Sequence, residues 1–104
     1  MSDPHVTIGR GVISELVRLA AFEVPGVARV GRGGAAWRRM LSGPAVSVRL
    51  RNDRVQVRVW IVARPGQALR PLAGQVRTAV GVTVERLLGL ELGAVTVVVD
   101  GVGG

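Results

Sequence analysis

The sequence predicts an α+β domain, a small mixed β-sheet built from a hairpin and a C-terminal strand with two helices packed on one face. Three observations predict it: two alternating valine runs flank Asn52 and Asp53, a leucine-valine stripe at helical spacing starts at Leu69, and a further alternating run starts at Val95. A period of two marks a strand with one buried face, and a period near 3.6 marks a helix with one. At 104 residues the chain has the size of one domain, read as 1–104, and no internal repeat divides it.

Val6 and Ile8 offer a short N-terminal strand, followed by Gly9 and Gly11. Ser14 then suits a helix N-cap and Glu15 the positive end of the helix, with Val17, Ala20, Ala21 and Val24 on one side. Pro25 disfavours helical geometry at Val24 and Gly26 accepts left-handed dihedrals, so the helix stops there. From about 28 to 44 glycines and arginines surround Trp37, Met40 and Leu41, and this stretch reads as a flexible excursion.

The hairpin is the most legible part. With Asn52 and Asp53 as the two turn residues, Leu50 faces Val55, Val48 faces Val57 and Val46 faces Val59, which makes one face apolar. Arg64, Pro65 and Gly66 end the second strand. The long helix carries Leu69, Leu72, Ala73, Val76, Val80, Val84, Leu87 and Leu88 on one side, tolerates Pro71 in its first turn and is capped by Gly89. Gly74 and Gly81 each weaken it by about 1 kcal/mol relative to alanine, which a close approach to the sheet would explain.

Composition narrows the function. The absence of cysteine excludes disulfides, thiolate metal sites and a thiol nucleophile, and fits a reducing cytoplasm. Neither a signal peptide nor an apolar run of about eighteen residues that could span a bilayer is evident. The formal charge is +7, and all 14 basic residues are arginine. That balance suits an acidic partner, an anionic lipid surface or nucleic acid, and it also suits the codon usage of a GC-rich coding sequence.

Two candidate contact surfaces stand out. The outer face of the hairpin collects Arg49, Arg51, Arg54 and Arg58, with Trp60 beyond them. Arg51 and Arg54 fall opposite each other, where like charges are unfavourable unless solvated or given an anion. Guanidinium groups grip phosphate or carboxylate with two hydrogen bonds and stack on aromatic rings. The competing reading is a solvated face whose charges discourage aggregation. Trp37 with Arg38 and Arg39 suits a lipid headgroup region or an acidic partner, unless Trp37 folds back onto the domain.

The remaining motifs carry little chemistry. Gly9-Arg10-Gly11 lacks the third glycine of a dinucleotide fingerprint, Ser14 standing in its place, and lacks a parallel βαβ unit around it. Gly31-Arg32-Gly33-Gly34 matches the loop of a KH nucleic-acid module only literally. His5 is the sole histidine, the acids are scattered, and Ser14 and Ser42 have no base. No enzyme activity, cofactor or metal site is expected.

The stretch from Gly11 through Glu23-Val24-Pro25-Gly26-Val27 resembles the opening motif of the alkaline-shock, general-stress family. The order of Gly66, Pro71, Val80, Val84-Glu85, Gly89-Leu90-Glu91 and Val95-Thr96-Val97-Val98-Val99 is similar to the rest of that family's pattern. The chain departs from it where Pro65 precedes Gly66 and where Leu88 replaces a polar residue. The resemblance implies a bacterial, cytoplasmic, non-enzymatic envelope-stress protein at the inner face of the membrane. It implies a membrane-linked protein partner and self-association into a homo-oligomer. A small RNA- or DNA-binding protein is the alternative, with few aromatic residues available for stacking.

Overall fold

A computed structural model describes residues 8–31 and 44–103. Helix α1 (Arg10–Phe22) leads into strand β1 (Val27–Val30), the hairpin β2 (Val46–Arg51) and β3 (Arg54–Ala63), helix α2 (Leu69–Val82) and strand β4 (Leu92–Val102). The expected α+β class is thus the observed one.

The β2–β3 register is the one the turn dictates: Val46 pairs with Val59, Val48 with Val57, Leu50 with Val55 and Arg51 with Arg54. Asn52 and Asp53 both take positive φ, 52° and 64°, as a two-residue turn that follows the twist of its strands requires. Leu50 is the exception on the apolar face, 59% exposed beside the turn.

Strand β3 is the centre of the sheet. β4 runs parallel to it from Val55 to Ala63 along one edge, so the sheet is mixed. β2 and β1 lie end to end along the other edge, both antiparallel, and meet at Trp60, whose N–H donates to Ala45 O and whose carbonyl accepts from Gly31 N, each at 2.8 Å. Residues 28–30 therefore belong to a strand, which corrects the start of the expected excursion. Residues 32–43 of that excursion lie outside the described residues, as does Val6 of the expected N-terminal strand, and Ile8 is in no strand.

The core forms between the helices and one face of this sheet. Ile13, Val17 and Ala21 of α1 and Leu72, Val76 and Val80 of α2 bury against Val46, Val48, Val55, Val57, Val59 and Ile61. Ile13 at 3% exposure explains why α1 begins before Ser14: the apolar stripe extends one turn further back, and its burial outweighs the cap preference of a serine. Gly9 is the N-cap, with its carbonyl accepting from Val12 and Ile13 N at 3.1 and 3.2 Å.

α2 does not keep one period to its end. Thr83–Leu87 form a π-helical turn, with Leu88 N donating to Thr83 O at 3.0 Å. The extra residue in that turn rotates the stripe. Leu87, expected inside, is 68% exposed, while Leu88 packs on the core as expected. Gly89 then closes the segment with φ 67°.

The two helix glycines differ. A Cβ on buried Gly81 would touch Leu92 Cδ2 at 3.4 Å, which marks the approach of α2 to β4. A Cβ on Gly74 would meet nothing within 4 Å, so the expected close approach is absent there and nothing in the structure explains that glycine. Gly74→Ala is expected to stabilise the fold by up to about 1 kcal/mol. A rise of several degrees in the thermal midpoint checks it, and a fall would show an unseen packing constraint.

Candidate interaction surface

Because β2, β3 as far as Trp60, and β4 each turn every second side chain toward the core, the intervening residues form the opposite face, which no described element covers. Register sets them in rows: Arg51 beside Arg54; Arg49, Gln56 and Ala94; Ser47, Arg58 and Thr96; then Trp60 and Val98. Ala94 and Thr96 are short, so the β4 side of these rows is low while the β2 side carries long guanidinium side chains. The result is a concave site of about 320 Å³ to which Ser47, Arg49, Arg51, Gln56, Arg58 and Thr96 contribute.

The sequence-predicted arginines divide into two groups. Arg49, Arg51 and Arg58 line this cavity, and among the described residues no carboxylate pairs with any of them. Arg54 points into an adjoining depression around the turn and pairs with Glu91, Nε to Oε1 at 3.1 Å. Both partners of that pair are more than half exposed, so its contribution is at most about 1 kcal/mol. Its effect is local: Glu91 answers the positive charge that Arg54 brings up against Arg51. Gly93 keeps this corner open, since a Cβ there would come within 3.2 Å of both Arg54 Cβ and Gln56 Cγ.

Trp60 lies on the same face, beyond the cavity, in register with Val98. Trp37, Arg38 and Arg39 lie outside the described residues; Gly31 and Ala45, on either side of them in the sequence, both hydrogen-bond to the Trp60 backbone. The predicted hairpin register already puts Ser47 opposite Arg58, but sequence reasoning has no means of adding Thr96, Gly93 and Glu91 to the site. Their only signal is alternation, which does not say which edge of β3 the last strand takes.

The other motifs stay inert among the described residues. Gly9-Arg10-Gly11 opens α1; the parallel βαβ unit among the described residues is β3–α2–β4, which enters its helix through Arg64-Pro65-Gly66 and has no glycine fingerprint. Glu15 pairs with Arg18 at 2.8 Å on the surface of α1. Among the described residues no group of three His, Cys, Asp or Glu side chains gathers to hold a metal ion, and no helix is long and apolar enough to cross a membrane.

A family model for the alkaline shock protein 23 family, described as having a cell envelope-related function, matches residues 2–103. The chain belongs to the alkaline shock protein 23 family. The expected family resemblance is therefore confirmed, and this alkaline-shock-family domain has a cell envelope-related role. No curated protein matches its sequence. Among solved structures the domain is similar to the MamM CTD in a copper form, with a TM-score of 0.64, 16% identity, and coverage of 88% of this chain and 85% of that one. A manganese form of a MamM CTD variant gives 0.64 at 17% identity, covering 89% and 99%. At that identity the likeness is one of fold.

Proposed function

We propose that this domain is a non-enzymatic interaction module of cell-envelope homeostasis, which self-associates and docks from the cytoplasmic side onto an acidic, membrane-linked partner. The observation that carries the reading is the sheet face opposite the helices. It presents Arg49, Arg51 and Arg58 in one concavity without a carboxylate partner among the described residues, within a chain of net charge +7. Family membership supplies the envelope context. Self-association draws support from α1, where Val12, Leu19 and Phe22 remain 53%, 46% and 53% exposed.

Replacing Arg49, Arg51, Arg54 and Arg58 together by glutamine is expected to lower recovery in the membrane fraction severalfold while leaving the thermal midpoint close to that of the parent, because these side chains lie outside the core. Unchanged recovery rejects the face as the contact surface. Nucleic acid is the second reading, favoured by the same arginines. It predicts tight, steeply salt-dependent binding to unrelated sequences at physiological ionic strength.

A further inference from the structure

We propose that the concavity between β2 and β4 is a phosphate site, in which Arg49, Arg51 and Arg58 hold a tetrahedral oxyanion carrying two or more negative charges. The proposal rests on the reading of this sheet face as the contact surface and names the chemistry that the face recognises.

Geometry brings the three guanidinium groups within reach of one ion. Arg49 and Arg51 are two residues apart on β2, so both project to the same side about 7 Å apart. Arg58 stands on β3 opposite Ser47, one row along from Arg49, and directly opposed residues lie about 4.5–5.5 Å apart. Thr96 flanks Arg58 from the other strand. Each guanidinium offers a planar fork of donors, and the Ser47 and Thr96 hydroxyls and the Gln56 amide add neutral donors at the rim.

The charge count selects the ligand. A single carboxylate leaves two of the three cations uncompensated, whereas a phosphate monoester or pyrophosphate matches them with several oxygens in a compact volume. The neighbouring cation Arg54 is already answered by Glu91, so on this part of the face the uncompensated cations are the three that line the cavity. At about 320 Å³ the cavity is at the small end of ligand sites, which run from about 300 to 1,000 Å³. It admits a phosphate with a short organic group. A bound single strand would need a row of stacking aromatics, and the described rows of this face contain Trp60 alone.

Two sources present this chemistry, a soluble phosphate compound and an anionic lipid headgroup, and two arms separate them. In the first, inorganic pyrophosphate is titrated into the full chain at fixed ionic strength, followed by amide shifts. The expected result is saturable binding with shifts at Ser47, Arg49, Arg58 and Thr96. Arg49→Gln with Arg58→Gln should weaken it by about tenfold or more, the scale of losing hydrogen bonds to a charged group. Arg70→Gln with Arg77→Gln removes the same charge from α2 and should leave binding unchanged. Ser47→Ala with Thr96→Val keeps every charge and should weaken it severalfold.

In the second arm, the chain is sedimented with phosphatidylcholine vesicles containing phosphatidic acid, whose headgroup is a phosphate monoester, and with pure phosphatidylcholine vesicles. Binding to the former alone, lost with Arg49 and Arg58, identifies a lipid source; pyrophosphate binding without vesicle binding identifies a soluble one. The proposal is overturned if neither probe binds, if the α2 pair weakens binding as much as the sheet pair, or if polyglutamate or duplex DNA of equal charge binds more tightly. Arginine-dependent membrane recovery without phosphate binding would also overturn it, while leaving the proposed function standing.

Discussion

Val59→Asp is expected to abolish folding, and Arg58→Gln beside it to leave the melting curve almost unmoved. The two residues are neighbours on β3 and project to opposite faces of the sheet. Val59 has no exposure and sits between Val46 and Val97 under both helices. An unpaired carboxylate there costs several kcal/mol after relaxation, on top of about 1.5–3 kcal/mol of lost valine burial. Whole domains are held by about 5–15 kcal/mol, so little or nothing remains. Circular dichroism of the purified variants checks the pair. A cooperative melt within a few degrees of the parent for Val59→Asp would show that β3 does not face the helices with this residue.

Leu72→Ala is expected to cost about 2–5 kcal/mol, the range for a fully buried leucine whose cavity cannot collapse. Leu72 is 1% exposed in the first turns of α2, in a core otherwise built almost wholly of valine and alanine. At about 4–8 °C per kcal/mol for domains of this size, the thermal midpoint falls by about ten degrees or more. The same side chain constrains Gly26, which has φ 99° and where a Cβ would stand 3.1 Å from Leu72 Cδ1 and 2.5 Å from Gln67 Oε1. Gly26→Ala is therefore strained by its backbone and crowded by its neighbours, and part of its cost should vanish in the Leu72→Ala background. A double-mutant cycle with no coupling would separate the two sites.

The hairpin is legible in the sequence because two local signals agree. Asn52 and Asp53 accept positive φ, and alternation on either side of them leaves one register that buries the valines. The rest depends on partners distant in sequence. Ser14 is a good local cap, yet burial of Ile13 starts the helix earlier. Alternation from Val95 to Val99 announces a strand without naming its neighbour, so its parallel place beside β3 requires the folded chain. For the same reason Arg49, Arg51 and Arg58, with Ser47 opposite Arg58, can be placed on one face from sequence, whereas Thr96 on the other side of Arg58 cannot. The π-helical turn at Thr83–Leu87 leaves no periodic signature of its own, and it carries Leu87 out of the stripe that simple periodicity assigns it to.

The parallel pairing of β4 with β3 sets an order on biosynthesis. The hairpin can close as soon as it leaves the ribosome, but roughly forty more residues separate the end of β3 from the end of β4. At about 5–20 residues per second, the nascent chain waits about 2–8 s with one side of its central strand unpaired. Throughout that interval a valine-rich ribbon is open to other nascent chains, and a chaperone that shields it is needed most before Leu92–Val102 is made.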